Sequence, residues 1–275
     1  EVIRREFRQF EAAWYDGEKI RLSRDRVDRL GFFTEVNVET IEIPGTPDQV
    51  DLMFTVAEKP TGSISLGAGF SSAEKVTLSF GIRQENAFGS GNYLAVEVNT
   101  SKYNRNLVLS TTDPYFTQNG ISRTIDVFQR TTRPYLGDIN SYSLVNSGLG
   151  LRFGVPVTET DTVFLGANAE QTHIKSGTGL PDPYKNYAEK FGATSTAIPL
   201  TSGWARDGRD SALVPSKGVY QRMNADLSLA GDVRYFRGSY QYQQYFPLSK
   251  KYTLAVNADL GWGQGLNGQE FPIFK

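Results

Sequence analysis

The 275-residue chain contains no cysteine. That excludes a disulfide scaffold, a thiolate metal centre and a cysteine nucleophile. Histidine occurs once, as His173. A single imidazole with no carboxylate pair beside it cannot assemble a metal site or a proton relay, and a surface position is expected for it. A G-x-S-x-G elbow is missing, so serine hydrolysis lacks its commonest local signature. No run approaches the ~20 apolar residues that a membrane-spanning helix needs, which removes one kind of membrane protein and leaves membrane-crossing strands open. The net charge of -1 carries no nucleic-acid signal. The start, Glu1-Val2-Ile3-Arg4-Arg5, is charged and has no apolar signal core, so the signal of an exported protein is expected upstream of it.

Glycine (27), phenylalanine (17) and tyrosine (14) are plentiful. Tight turns, bulges and interfacial aromatic girdles use these residues. A hydrophobic content of 39% and a mean hydropathy of -0.38 fit a soluble protein. They fit a barrel equally well, because only every second residue of a membrane strand need be apolar. Residues 1–60 hold 9 Lys and Arg against 13 Asp and Glu, leaving 20 against 17 for the remainder. Neither imbalance is large.

The first 60 residues read as a small α+β domain. Ile3, Phe7, Phe10 and Trp14 recur at spacings of three and four, which predicts an opening helix with Arg4, Arg5, Arg8 and Glu11 on its other side. A second helix is expected from a cap at Asp16 to Leu30, with Ile20, Val27 and Leu30 inward and Gly31 as its stop. Phe33 to Ile43 reads as a strand with a bulge between Val38 and Ile41. Pro44-Gly45-Thr46-Pro47-Asp48 makes a turn, and Val50, Leu52, Phe54 and Val56 alternate as a second strand. About 60 residues bury only a modest core, and a further strand before Glu1 would complete a three-stranded sheet.

Residues Glu58 to Gly62 form a connector, and the texture then changes. Ile64, Leu66, Ala68 and Phe70 alternate with Ser63, Ser65, Gly67 and Gly69. Val76 to Ile82, Leu94 to Val98, Leu149 to Val155, Val163 to Ala169, Val219 to Leu229 and Leu254 to Trp262 follow the same rule. About eleven such segments occur, each near the ~10 residues of a tilted membrane strand. A soluble β-sandwich also alternates. Long strands, short connections and aromatics near strand ends (Tyr115-Phe116, Tyr135, Tyr235-Phe236, Tyr245-Phe246, Trp262) favour an antiparallel transmembrane β-barrel with its aromatic belt. The domains are then 1–60 and 61–275. The long connection from Thr172 to Ala193 carries Tyr184, Tyr187 and Phe191 at helical spacing after Pro181-Asp182-Pro183, which predicts a short helix acting as a lid or packing element.

Catalytic chemistry finds no anchor. Gly261-Trp262-Gly263-Gln264-Gly265 resembles a phosphate loop only superficially, since no helix follows, and glycines at a strand end and turn explain it. Asn99-Thr100-Ser101 fits a glycosylation sequon that is idle at a strand end of a bacterial-type barrel. Asp113, Asp126, Asp161 and Asp210 are scattered over different strands and turns. No catalytic residue, cofactor or metal ligand is expected. What remains is interaction chemistry. Gly62, Gly67 and Gly69 fall within eight residues of the first barrel strand, so that strand pairs weakly with its neighbour. In a closed barrel it meets the last strand, and a weak seam can open to expose unpaired N–H and C=O groups to an incoming strand. Glycine that merely relieves crowding where the barrel curves is the plain alternative.

These residues also carry a resemblance. Glu1 to Gln9, Arg29-Leu30-Gly31-Phe32-Phe33, Pro44 to Asp51, Thr61-Gly62-Ser63, Gln84 to Gly91, Thr112-Asp113-Pro114-Tyr115-Phe116 and the Asp210, Pro215, Gly218 pattern are similar, across essentially the whole chain, to the last POTRA domain and barrel of the BamA family of outer-membrane assembly factors. The resemblance implies a barrel of about sixteen strands behind several periplasmic POTRA domains, in the bacterial outer membrane. It implies insertion and folding of other β-barrel proteins without ATP, with unfolded clients docking on the edge of the first strand. That strand comprises Ser63, Ile64, Ser65, Leu66, Gly67, Ala68, Gly69 and Phe70. Membrane lipid and accessory lipoproteins are the further partners implied; Arg4 and Glu11 match positions that contact a BamD-like lipoprotein, or else are simply a solvated face. The family's V-R-G-[FY] loop and closing strands are expected beyond Phe274-Lys275. Other functions within the same architecture are secretion of a dedicated partner protein and service as the barrel tail of a phospholipase.

Overall fold

The computed structural model describes residues 2–46, 48–72, 74–133, 142–158, 160–175, 180–211, 214–249 and 252–275. Glu1, Pro47 of the first turn and Tyr135 of the expected aromatic belt lie outside the described residues. The chain forms two compact units, Glu1–Ile64 with Ile82–Leu94, and Ser65–Gly81 with Ala95–Lys275.

In the first unit, helix α1 (Gly17–Arg29) begins where the sequence predicts. The Asp16 carboxylate accepts from the N–H groups of Glu18 (3.0 Å) and Lys19 (3.2 Å), so two otherwise orphaned donors are satisfied. Gly31, at φ +71°, takes the left-handed turn that ends the helix. Ile20, Ser23 and Val27 form its buried stripe, and Val27, Phe32 and Phe33 make the core against Ile3, Phe7, Leu30, Val36 and Val56. Strands β1 (Phe33–Glu42) and β2 (Val50–Glu58) pair antiparallel.

Two expectations fail here. The opening stretch is a single 3-10 turn at Arg4–Glu6, after which Phe7 is extended. The buried Ser23 hydroxyl accepts from the backbone N–H of Arg8 (2.8 Å) and of Gln9 (3.3 Å), donors that a continuing helix would keep for its own carbonyls. Ile3 and Phe7 therefore reach the core, while Phe10 and Trp14 stand exposed. The bulge expected between Val38 and Ile41 is absent: the ladder is continuous from Glu35 to Glu42, and the irregularity lies between Phe33 and Glu35. Ile41 looked out of phase because it is exposed, on the face opposite Val36 and Val38.

Eleven strands follow as one sheet in strict sequence order: β3 (Gly62–Ser71), β4 (Lys75–Ala87), β5 (Asn92–Thr100), β6 (Asn104–Asp113), β7 (Ser122–Thr132), β8 (Ser143–Pro156), β9 (Asp161–Lys175), β10 (Thr194–Asp207), β11 (Gly218–Gly231), β12 (Tyr235–Pro247) and β13 (Thr253–Gly265). From β6 to β13 every neighbouring pair is antiparallel. The one register break among these ladders falls between Ile198 and Pro199 in β10, where proline has no N–H to give. No described helix is long and apolar enough to cross a membrane.

The burial pattern decides between sandwich and barrel. In a sandwich the apolar face of each strand is covered by the second sheet. Here Leu107, Leu149, Val127, Met223 and Leu254 are exposed, as are Leu165 (53%) and Leu260 (68%). A contiguous apolar surface of that extent needs a nonaqueous solvent. The opposite face is polar and encloses a hollow of about 610 Å³ lined by Asp126, Arg130, Arg152, Asn168, Arg222 and Arg237. This is the apolar-out, polar-in arrangement of a transmembrane barrel.

The connection between β9 and β10 holds α2 (Asp182–Phe191), as its spacing predicts. Tyr187 is buried between Phe191 (4.9 Å between centroids) and Phe274 (5.5 Å), and burial raises its phenol pKa. His173 lies in β9 rather than in the connection; it is half-buried, with Nδ1 2.7 Å from the Thr194 hydroxyl. Two predictions follow from hydrogen bonds of these elements. Ser23→Ala leaves two N–H donors without their acceptor and lowers the stability of the α+β unit by about 1–3 kcal/mol, read as a fall in its urea midpoint. In the turn between β10 and β11, the Ser216 hydroxyl and the N–H groups of Ser216 (2.8 Å) and Lys217 (3.2 Å) donate to the Asp210 carboxylate and lower its pKa to about 2. A depressed carboxylate contributes fully above its unfolded value of about 4 and loses its contribution as pH falls through the folded value. Amide protection at Ser216 and Lys217 should therefore persist from pH 7 to pH 4 and collapse near pH 2.

Candidate functional site: the glycine-rich first barrel strand

Strand β3 ends the sheet, paired among the described residues with β4 alone. Its two faces differ sharply. Ile64, Leu66 (85% exposed) and Phe70 stand on one, fully presented to the surroundings. Ser63, Ser65, Gly67 and Gly69 occupy the other, which carries nothing larger than a hydroxymethyl. The glycines are not idle. A Cβ on Gly67 would collide with the Ser79 hydroxyl, and one on Gly69 would lie 2.7 Å from the Thr77 hydroxyl. The side chains of β4 thus lean over the bare backbone of β3, and Ser65 Oγ is 3.5 Å from the Gly81 carbonyl. All eight residues Ser63 to Phe70 sit on this one strand, and all but Gly67 are exposed.

Arg4 and Glu11, the other pair singled out in the sequence, lie in the first unit. Their side chains form an exposed ion pair with each other, at 64% and 79% side-chain exposure. They belong to the 3-10 turn and the loop after it, not to a helix face. A second ion pair in this unit is buried: Arg26 and Glu6, 3.0 Å apart.

The scattered carboxylates are each absorbed by local structure. The Tyr115 N–H donates to Asp113 (3.0 Å) and the Ser110 hydroxyl to Asp126 (2.5 Å). Asp161 accepts from Arg206 Nε (2.8 Å), Trp204 Nε1 (3.0 Å) and Thr158 Oγ1 (2.8 Å), tying β9 to β10. Among the described residues no three His, Cys, Asp or Glu side chains converge as metal ligands would.

The aromatic belt is partly as expected. Phe236 and Trp262 pack 5.4 Å apart across β12 and β13, Phe246 is exposed, and Phe116 packs on Phe153 under the Arg123 guanidinium. Tyr235 does not belong to it. It shares the polar face with Arg237, is 1% exposed, meets Phe271 edge-on at 5.9 Å and donates to Glu170. A feature the sequence reading missed explains this burial. Residues 266–275 fold back along β13, where a Cβ on Gly263 would strike the Phe271 ring and one on Gly265 the Gln269 backbone. Gln269 accepts from Arg234 N–H (2.7 Å) and donates to the Asp232 carbonyl (3.1 Å), and Lys275 pairs with Glu170. Gly261, Gly263 and Gly265 close β13, whose last residue is Gly265, as expected of strand-end glycines, and their spacing of two was the available signal for a bare face on which a segment can rest.

A sheet with apolar exterior, polar interior and strands of 9 to 15 residues, together with an α+β unit, defines an outer-membrane β-barrel protein of the POTRA-containing class. Residues 86–275 match the Omp85 superfamily domain, and residues 1–59 match a POTRA domain, described as a surface antigen variable number repeat. The chain belongs to the Omp85 superfamily, with its barrel in the outer membrane and its POTRA unit in the periplasm. It is similar to the outer membrane protein assembly factor BamA of Neisseria meningitidis serogroup B, 36% identical over 287 residues with 100% of this chain and 36% of the relative covered. The BamA of Nitratidesulfovibrio vulgaris is 26% identical over 281 residues, covering 100% of this chain and 34% of that protein. The chain thus spans about a third of the length of these curated relatives. Among solved structures, BamA from Haemophilus ducreyi lacking POTRA domains 1-3 superposes with a TM-score of 0.77 at 25% identity, over 99% of this chain and 54% of that one. CdiB from Acinetobacter baumannii shares the fold, with a TM-score of 0.57 at 9% identity over 96% of this chain and 50% of that one.

Proposed function

We propose that the protein inserts and folds other β-barrel proteins in the outer membrane, and that an incoming client strand docks on the edge of β3 at a weak lateral seam. The carrying observation is the composition of that strand: an end strand whose inner face is only serine and glycine presents backbone N–H and C=O groups with no side-chain bulk on that face. Strand augmentation takes its affinity from such main-chain groups. The similarity to proteins named as outer membrane protein assembly factors supports the same reading. The docking residues are Ser63, Ile64, Ser65, Leu66, Gly67, Ala68, Gly69 and Phe70. We place the boundary between the two domains at Pro60/Thr61, at the start of β3. No cofactor and no catalytic step enters this function; pairing energy and the disturbed lipid beside a weak seam do the work.

Arg4 and Glu11 are proposed as the contact for an accessory lipoprotein of the BamD kind. Their support is exposure: the ion pair they form with each other contributes about 0–1 kcal/mol to folding at most, which leaves both charges free to serve recognition.

In the full-length protein, Ser65→Cys should form a disulfide with a cysteine placed in the terminal strand of a client during assembly. Crosslinks appearing only at Glu11→Cys and the exposed face of α1 would overturn edge docking. Reversing the charges, Arg4→Glu with Glu11→Lys, should reduce copurification of the lipoprotein about tenfold without shifting the melting of the POTRA unit. Unchanged copurification removes these two residues from the contact.

A further inference from the structure

The connections at the two ends of the barrel strands differ in what they expose. The POTRA unit leads directly into β3, so β3 starts at the periplasmic end. Consecutive strands joined by short turns alternate in direction, and β6, β8, β10 and β12 therefore finish at that end. Each of the four turns that follow them presents a large apolar side chain. These are Phe116 in 114–121, Val157 in 157–160, Val214 (80% exposed) in 208–217, and Leu248 with Tyr252 in 248–252. The turn after β4 presents Phe88 in the same manner, on a left-handed backbone (φ +55°) that bulky residues rarely adopt. The described connections of the opposite end expose none: Tyr103, Phe191, Val233, Leu266 and Ile273 are all buried or half-buried.

A lone apolar residue on a surface is ordinary, but turns between strands are normally built from small and polar residues. Recurrence in turn after turn, at one end only, calls for a common cause. These side chains continue the lipid-facing rows. On β8, Leu149, Leu151 and Phe153 share the outward face by the period of two, and Val157 carries that row past the strand end at Pro156. Phe246 on β12 precedes Leu248, and Tyr252 leads into Leu254 and Val256 of β13, all of them exposed. Phe116 packs on Phe153. On the same outer face, near the turns, stand groups suited to lipid headgroups. The Arg123 guanidinium lies 4.3 Å from the Phe116 ring, and Trp204 is 5.5 Å from Arg206, which is tied to Asp161. Indole and guanidinium groups at that level favour the boundary between acyl chains and headgroups. From the turn after β6 to the turn after β12 the tips spread over roughly 30 Å along the sheet, a rim rather than a compact patch. A planar lipid surface matches such a rim better than a protein epitope does.

We infer that the periplasmic turns are seated in the phospholipid surface, with their apolar tips among the glycerol groups and upper acyl chains. They act as a row of anchors that the opposite end of the barrel lacks. The inference rests on the outer-membrane location of the barrel and not on client docking. It makes the periplasmic side the fixed one: the height of the barrel in the bilayer is set there, and α2 at the other end stands in water.

The test uses the full-length protein alone, without accessory lipoproteins, in phosphatidylcholine vesicles. An environment-sensitive fluorophore is attached at Val157→Cys, Val214→Cys or Leu248→Cys, and at Glu189→Cys on α2 for reference. With lipid brominated close to the glycerol end of its acyl chains, the turn labels should lose about half of their emission or more, the depth expected of interfacial side chains. Iodide on both sides of the membrane should quench them about fivefold less than it quenches the α2 label. Turn labels that iodide reaches as readily as it reaches α2 would overturn the inference. Protection from iodide without quenching by the brominated lipid would overturn it too, as would protection that appears only once lipoproteins are added, since protein would then cover the tips. Tyr252→Trp keeps an aromatic ring in its turn and serves where a labelled variant fails to fold. The emission it adds over the parent protein should be quenched by the brominated lipid; added emission that iodide quenches instead sinks the inference.

Discussion

Everything in the larger unit depends on the rule that a backbone polar group surrounded by lipid has to find its partner within the protein. The strands satisfy that rule laterally, each with its neighbours in sequence order, from β6 to β13 in unbroken antiparallel ladders save the one break at Pro199. Once pairing is fixed, the period of two fixes the rest. Leu165 and Leu260 must face outward because Asn168 and Arg237 must not. The same rule makes an end strand chemically special. Among the described residues the sheet leaves the outer N–H and C=O groups of its two end strands, β3 and β13, to be satisfied elsewhere, so a strand at either position is closed by another strand or available to one.

The front unit obeys different physics. It is small, its core amounts to Val27, Phe32 and Phe33 with a rim of half-buried apolar residues, and it leans on polar bonds that reach across the chain. Ser23 is the clearest of these. One hydroxyl, buried on α1, accepts two backbone donors and gives its own proton to the Lys19 carbonyl (2.7 Å), joining the helix to the segment before it. The buried Glu6–Arg26 pair works in the same direction, holding the opening turn against the same helix.

Local signals were the legible ones. The extent of α1 could be read from Asp16, the spacing of Ile20 and Val27, and Gly31, because cap, stripe and stop all lie within the helix or next to it. The eleven strands were legible for the same reason: alternation is a property of adjacent residues. The opening 3-10 turn was not, because its partner Ser23 lies fifteen residues away. Tyr235 was assigned to the outer belt by residue type, although its parity with Arg237 already placed it inside. At β3 the density of glycine was visible in the sequence. That Ser79 and Thr77 lean over those glycines depends on which residues of β4 come alongside, and sequence order alone does not give that.

The return of residues 266–275 along the inner face of β13 turns bare backbone into a seat. Phe271 and Gln269 rest on Gly263 and Gly265, and Tyr235 of the adjacent strand is sealed beneath them. A side chain at either glycine would occupy the space that the returning segment fills, so these two positions keep vacant the room that any other residue would deny it.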